Sequence, residues 1–295
     1  MARTKHSRIA YDKKDKAAVI AAIQRLPHFD LRTVADPSLL GDKEVVLAAV
    51  AKKGRQLEFA SPELRNDEEV ASVAVVSDGC ALRYCSSEAL RSDRSLAAAA
   101  VRNDGTALRW CGDDLRDDPD IVRRAVERSG AALRFASDRF RNDKETVLTA
   151  LRAGGAAGQA SLSREWILGN ASEELRRDRE VVMTAIRKCG GLSLMNVPEE
   201  LRGDRELVLA AARDNGASLE YASPALRADR EIVLVAVRKC GMALEFVSEE
   251  LRGDREIVLA ALSAPEGVRG LRVLDVSCNL RLRNSRVIEG LCSGQ

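Results

Sequence analysis

The amino-acid sequence predicts an all-α fold, an α-solenoid of about nine helical-hairpin repeats of about 25 residues each. Three observations predict it: a composition poor in aromatic side chains, a recurring pattern of leucine, aspartate and glycine, and helix boundary signals at fixed places in that pattern. The 295 residues are 45% apolar and 31% charged but only 3% aromatic. The core must therefore be built from Ala, Val, Leu and Ile, which favours packed helices over a β-sandwich.

The repeat is visible in three sets of equivalent positions. A leucine or phenylalanine recurs at Leu39, Leu64, Leu90, Leu115, Phe140, Leu175, Leu201, Leu226 and Leu251. Three residues later stands an aspartate, at Asp42, Asp67, Asp93, Asp118, Asp143, Asp178, Asp204, Asp229 and Asp254. A glycine follows in each of the first eight copies, at Gly54, Gly79, Gly105, Gly130, Gly155, Gly190, Gly216 and Gly241. We expect a polar N-terminal tail over residues 1–14, a tandem repeat domain over residues 15–262 and a C-terminal segment over residues 263–295.

Each copy indicates one long helix. The aspartate is expected to be the N-cap, because its carboxylate accepts from free backbone N–H groups and opposes the positive end of the helix dipole. The helix then runs for about eleven residues, as over 43–53, and Gly54 is expected to end it in the left-handed conformation. The middle of this helix is apolar on all sides, so neighbouring copies must cover several of its faces.

A second, shorter element follows the glycine. Its pattern is leucine, any residue, an aromatic residue, a small residue and serine, as in 57–61 and 133–137. We expect one or two helical turns here, after which the serine caps a further turn before the next aspartate.

The segments 201–211 and 251–261, which begin Leu-Arg-Gly-Asp-Arg-Glu, resemble the repeats of the domain-of-unknown-function 4116 family. The resemblance covers about residues 15–262 and implies tandem helical repeats. It implies no catalytic residue, because the family has no established activity. Residues 271–280 resemble a single leucine-rich repeat, which would be a C-terminal cap, the start of a truncated array or a coincidence.

Two sets of equivalent positions are candidates for function. The aromatic column holds Phe59, Tyr84, Trp110, Phe135, Asn170, Asn196, Tyr221 and Phe246. It would either form stacking platforms for bases or fill the core between repeats; core is favoured, because aromatic side chains dominate core burial. The arginine column holds Arg65, Arg91, Arg116, Arg141, Arg176, Arg202, Arg227 and Arg252. It would either track phosphates or pair with carboxylates between repeats, and a net charge of +2 favours the pairs.

The sixth copy breaks the pattern. It carries about ten extra residues between Gly154 and Leu168, and insertions in repeat arrays often lie on the binding face, although a tolerated surface loop explains them equally well. The candidate partner-binding residues are Trp166, Asn170 and Asn196 near the insertion, together with Arg141, Arg176 and Arg202 of the arginine column.

The sequence shows no catalytic, cofactor-binding or metal-binding motif. It lacks a phosphate-binding loop and a nucleophile elbow, and its only histidines are His6 and His28. Of the seven cysteines, Cys85 and Cys111 stand at a position that elsewhere holds alanine, and Cys189 and Cys240 precede the glycine that follows a long helix. We therefore expect small core residues rather than disulfides or zinc ligands. Because the first fifteen residues lack an apolar stretch, we expect a cytoplasmic or nuclear protein. The longest apolar runs, such as 45–51 and 96–101, are far shorter than the ~20 residues of a membrane-spanning helix, so we expect no membrane segment.

These observations predict a non-catalytic helical-repeat scaffold that mediates protein–protein interaction through a protein or peptide partner. The alternative is nucleic-acid binding, to RNA, along a ladder formed by the arginine column. A third hypothesis, an enzyme with its site at the insertion, requires a pocket lined by Trp166, Asn170 and Asn196.

Overall fold

The computed structural model describes residues 15–34, 36–154, 164 and 166–264. Every regular element in these ranges is helical, as the sequence predicts, and no strand occurs there. The chain divides into two units between Ala157 and Gly158, and each unit is described by itself. The N-terminal tail, most of the insertion and the segment that resembles a leucine-rich repeat lie outside the described residues.

Ten long helices of eight to eleven residues recur along the described chain. In the first unit they are α1 (Lys16–Arg25), α2 (Lys43–Lys52), α3 (Glu68–Ser77), α4 (Arg94–Asn103), α5 (Pro119–Arg128) and α6 (Lys144–Ala153). In the second unit they are α7 (Arg179–Cys189), α8 (Arg205–Asp214), α9 (Arg230–Lys239) and α10 (Arg255–Leu262).

The predicted aspartate caps are confirmed at all nine positions. Asp67, for example, is the N-cap of α3, and its carboxylate accepts a hydrogen bond from the Val70 backbone N–H at 3.0 Å. Asp178, Asp204, Asp229 and Asp254 each accept from two such groups. The carboxylate thereby satisfies backbone donors that a helix leaves free at its first turn.

A 3₁₀-helix follows most of the long helices, as the second predicted element. These 3₁₀-helices are Gly54–Phe59, Gly79–Tyr84, Gly105–Trp110, Gly130–Phe135, Leu168–Asn170, Gly191–Asn196, Gly216–Tyr221 and Gly241–Phe246. A short turn then leads to the next aspartate. These turns are Pro37–Gly41, Leu64–Asn66, Glu88–Arg91, Asp113–Arg116, Asp138–Arg141, Glu173–Arg176, Glu199–Leu201, Pro224–Arg227 and Glu249–Arg252. After α1, the 3₁₀-helix is the short Leu31–Thr33. One repeat is thus a long helix, a 3₁₀-helix and a turn.

The core lies between successive repeats. Within each unit every long helix packs against the next one along the chain, and the 3₁₀-helices on its two sides also contact it. In α2, Val45, Val46 and Val50 are completely buried. Leu57, in the following 3₁₀-helix, is buried as well. The prediction that neighbours cover the long helix on several faces is confirmed.

The glycine that follows the long helix has a different role from the predicted one. Gly190 does adopt a positive φ of 113°, but Gly54, Gly105, Gly216 and the other described members of the column do not, and Gly155 is not described. At Gly54, Gly79, Gly105, Gly130 and Gly216, a Cβ atom would lie under 3.0 Å from a backbone carbonyl oxygen of the next long helix. Close approach between repeats, rather than a left-handed cap, requires glycine there.

Ion pairs also join successive repeats. The residue after the capping aspartate is often a cation, and it reaches the capping aspartate of the next repeat. Lys43 Nζ lies 2.8 Å from Asp67 and 2.8 Å from Glu69. The same pattern joins Lys16 to Asp42, Arg94 to Asp118, Arg179 to Asp204, Arg205 to Asp229 and Arg230 to Asp254. No helix in the described ranges has the length and apolar character needed to cross a bilayer.

Candidate functional site

The arginine column does not form the predicted pairs between repeats. All eight members are half-buried, and five of them bond within their own repeat. Arg91 pairs with Glu88 at 2.7 Å, Arg116 with Asp113 and Arg141 with Asp138, each three residues away on one turn. Pairs between repeats were predicted for the arginine column, and this prediction is wrong. The cations that bridge repeats are those directly after the capping aspartates. Because these guanidinium groups are bonded within their own repeats, the arginine column does not present a continuous row of unpaired cations to solvent.

Two other predicted arginines lie in the second unit. Arg202 Nε donates to the Val197 carbonyl at 2.7 Å and its Nη2 to the Met195 carbonyl at 3.3 Å. Arg176 is half-buried, and its Nε is shielded from solvent with no acceptor among the described residues. Both side chains are therefore held against the protein rather than extended into solvent.

The residues beside the insertion lie together in the second unit. Trp166 is 53% exposed, and its backbone carbonyl accepts from Asn170 Nδ2 at 2.9 Å. Asn196 lies against Gly169, where a Cβ atom would come within 2.7 Å of its Oδ1. Arg202 binds the backbone on both sides of Asn196. The structure thus brings Trp166, Asn170, Asn196 and Arg202 into one neighbourhood, whereas Arg141 belongs to the first unit.

The side chains of the aromatic column are neither fully buried nor fully exposed. All eight of its side chains are half-buried. The leucine two residues earlier is fully buried instead, as at Leu82, Leu108 and Leu133. The favoured interpretation of the rings as core is therefore correct in part. The leucines fill the interior and leave one part of each ring at the surface, while Phe59 still packs against the core.

Arginines lie over these partly exposed rings in the first unit. We call the set Arg83, Tyr84, Arg109, Trp110, Arg134 and Phe135 the arginine–aromatic row. The Arg83 guanidinium carbon lies 4.9 Å from the Tyr84 ring centre and 5.2 Å from that of Trp110. The Arg109 carbon lies 4.7 Å from Trp110 and 5.8 Å from Phe135. Arg83 and Arg109 therefore each contact the ring of their own repeat and that of the next, at cation–π distance. The Arg134 carbon lies 5.0 Å from the ring centre of Phe135, in its own repeat.

The row borders a concave site. A pocket of about 270 Å³ is lined by row residues together with Arg55, Cys80 and Thr106. The acids nearby already have partners: Asp78 pairs with Arg55 at 2.9 Å, and Asp104 accepts from the Thr106 hydroxyl at 2.8 Å. Arg83, Arg109 and Arg134 are exposed, and none of them has an ion pair with a described acid. Their charge is left available to a ligand.

The fold does not require arginine at these three positions. The equivalent residue, between the buried leucine and the ring, is Glu58 in an earlier repeat, and Gly169, Met195, Glu220 and Glu245 in the second unit. Glu220 and Glu245 are as exposed as the arginines. The three consecutive arginines therefore point to a surface property. These three arginines were not among the residues predicted from the sequence. A sequence pattern nevertheless marks them, because the tripeptide leucine–arginine–aromatic occurs in three successive repeats, ending at Tyr84, Trp110 and Phe135.

The cysteines near the row are poor nucleophiles. Burial raises the pKa of the Cys80 and Cys85 thiols to about 11 and that of Cys111 to about 12. A thiol with such a pKa forms very little thiolate at neutral pH. Cys85 and Cys111 are buried, as predicted for small core residues. Among the described residues, no group of three or more His, Cys, Asp or Glu side chains could hold a metal ion.

Comparison with known proteins agrees with the repeat pattern. No curated protein and no solved structure matches the chain. One family model matches five tandem segments, residues 42–91, 74–116, 118–157, 188–227 and 229–264. These segments span more than half of the chain. They contain eight of the nine capping aspartates, all but Asp178, and seven of the eight 3₁₀-helices that follow α2 to α9, all but Leu168–Asn170, together with the arginine–aromatic row. The chain belongs to the family described as domain of unknown function (DUF4116).

Proposed function

We propose that the chain is an α-solenoid of about nine repeats and acts as a non-catalytic scaffold for protein–protein interaction, in the cytoplasm or nucleus. The contacts between successive repeats in each unit support the solenoid. In such a stack every repeat delivers one side chain from each equivalent position to a shared surface. Extended surfaces of this kind suit protein or peptide partners.

The arginine–aromatic row is the observation that carries the proposal. Aromatic and arginine side chains are enriched where proteins bind other proteins. Here three exposed arginines and three partly exposed rings alternate over three consecutive repeats, and the arginines lack ion pairs with described acids. The RNA alternative depended on the arginine column. The bonds of Arg91, Arg116, Arg141, Arg202 and Arg252 within their own repeats weaken that alternative.

Capture of partners by matched variants tests this function. The row variant combines Arg83→Glu, Arg109→Glu and Arg134→Glu, a residue that the fold already accepts at Glu58, Glu220 and Glu245. The control variant, Arg102→Glu, Arg124→Glu and Arg152→Glu, makes the same change in charge at exposed positions of α4, α5 and α6.

Both variants and the unaltered chain are used as bait in source-cell lysate, with circular dichroism to verify folding. We expect a set of proteins that the unaltered chain and the control variant retain and that the row variant loses at least about tenfold, a change of about 1.4 kcal/mol. Equal capture by the row and control variants would contradict the proposal, as would the recovery of no protein by any of the three.

A further inference from the structure

We propose that the arginine–aromatic row binds an extended acidic segment of a partner protein, with one carboxylate at each of Arg83, Arg109 and Arg134. The acidic side chains of that segment would stand three residues apart. This inference rests on the proposed scaffold function and adds the chemistry and the conformation of the partner.

The chemical class of the ligand follows from the three guanidinium groups, which are exposed and form no ion pair with a described acid. Each guanidinium carbon lies within about 6 Å of the centre of at least one ring, which holds the group near the ring. The N–H donors of a guanidinium lie in its plane, at its edge. A carboxylate is a planar acceptor that pairs with such an edge through two parallel hydrogen bonds. Asp78 is paired with Arg55, and none of the three row arginines forms an ion pair with a described acid, so the row keeps its positive charge.

The spacing of the row indicates an extended chain. The Trp110 ring centre lies 5.2 Å from the Arg83 guanidinium carbon and 4.7 Å from that of Arg109. Those two carbons are therefore at most about 10 Å apart, which is also the typical separation of neighbouring packed helices. A polyproline II segment is extended, makes one turn every three residues and rises about 9 Å in that turn. Because every third side chain of such a segment points to the same side, acidic residues three positions apart meet successive arginines.

The same geometry disfavours RNA at this site. Binding of single strands uses aromatic faces on which bases stack. Arg83 and Arg109 both lie over the Trp110 ring, so a base would stack there only after displacing a guanidinium. The row also supplies only three cations in a chain of net charge +2, whereas affinity for nucleic acid grows with the number of phosphate contacts.

Synthetic peptides test the inference directly. The spaced peptide repeats Glu-Ser-Gly, and its isomer has the same composition with all glutamates in one block. Fluorescence anisotropy measures binding of each labelled peptide, and of labelled oligouridine, to the unaltered chain, the row variant and the control variant. A third peptide repeats Lys-Ser-Gly and probes the reversed charge of the row variant.

We expect the unaltered chain and the control variant to bind the spaced peptide at least about tenfold more tightly than its isomer. The row variant should lose this binding and bind the lysine peptide instead, which also shows that it is folded. Equal affinity for the two glutamate isomers, equal loss in the control variant, or tighter row-dependent binding of oligouridine would each overturn the inference. If row-dependent capture of proteins persists while the spaced peptide fails to bind, only the acidic-segment inference is wrong. If capture does not depend on the row, the scaffold function fails.

Discussion

Gly105 illustrates how single residues set the distance between repeats. It begins the 3₁₀-helix Gly105–Trp110, and its Cα faces the C-terminal end of α5. A Cβ atom on Gly105 would collide with the Ala125 carbonyl oxygen and would lie 3.0 Å from the Ser129 backbone nitrogen. Both obstacles are backbone atoms of a packed helix, so they cannot move aside as a flexible side chain would.

Replacing Gly105 with alanine should therefore destabilise the protein. We expect Gly105→Ala to lower the free energy of unfolding by about 3 kcal/mol, the upper part of the usual range for overpacking. Gly253→Ala is the matched control, since a Cβ atom there meets nothing within 4 Å and φ is −92°; we expect a change of at most about 0.5 kcal/mol. Urea unfolding followed by circular dichroism measures both, and equal stability of the two variants would refute the role assigned to the glycine.

Asp67 shows that the start of a long helix also holds two repeats together. Its carboxylate caps α3 through the Val70 backbone N–H at 3.0 Å and accepts from Lys43 Nζ of the preceding repeat at 2.8 Å. The hydrogen bond from Lys43, followed by the one from Val70, lowers the pKa of Asp67 below its ordinary value of 3.8. The hydrogen bond from Lys16 lowers the pKa of Asp42 in the same way.

These shifts predict acid sensitivity. A carboxyl whose pKa is lower in the folded state stabilises that state at any pH above its unfolded pKa, and the stabilisation is lost as the pH falls through the folded pKa. We expect Asp67→Asn, which keeps a capping oxygen but no charge, to lower the urea midpoint at about pH 7. The difference from the unaltered chain should shrink as the pH falls below 3.8 and through the lowered pKa of the folded state. Urea unfolding at a series of pH values measures this.

Lys43→Met provides the partner control for that experiment. It removes the cation while leaving the aspartate in place, so its stability should depend on pH less steeply than that of the unaltered chain. A pH dependence unchanged in both Asp67→Asn and Lys43→Met would show that this ion pair has no effect on folding.

Over the whole molecule, the contacts within each unit run from one repeat to the next. An array of this kind is stabilised by the sum of its repeats and of the interfaces between neighbours. The interfaces also resemble one another: Gly79 faces the Ala100 carbonyl of α4 in the way that Gly105 faces the Ala125 carbonyl of α5. One repeat should therefore be removable without loss of the fold.

Deleting residues 94–118 tests the solenoid. The deletion joins Asp93 to Pro119, so that an aspartate still caps α5, and it places Gly79 opposite Ala125. We expect a shorter protein with unchanged helix content per residue and cooperative urea unfolding. Deleting 94–105, which removes half a repeat, should abolish cooperative unfolding because the remaining elements cannot pack in register. If the full-repeat deletion unfolds as the half-repeat deletion does, the array is not a solenoid.

The sequence by itself determined the helical class, the repeat and the starts of the long helices. These features depend on local chemistry: an aspartate caps whichever helix follows it, and a buried valine or leucine marks the same face in every copy. The family resemblance led to the same prediction of tandem helical repeats, because it rests on the same recurring residues. The burial of Leu82, Leu108 and Leu133 beside their rings was also encoded locally, although its consequence for the rings was not recognised.

Only the tertiary structure decided which partner each charged group and glycine has. Arg91 and Arg94 are three residues apart, yet one bonds within its own turn and the other bridges to the next repeat. Gly54 and Gly190 both follow long helices, yet one allows a close approach and the other a positive φ. The separation and orientation of neighbouring repeats set these partners, and the arginine–aromatic row exists because adjacent 3₁₀-helices place the arginine of one repeat over the ring of the next.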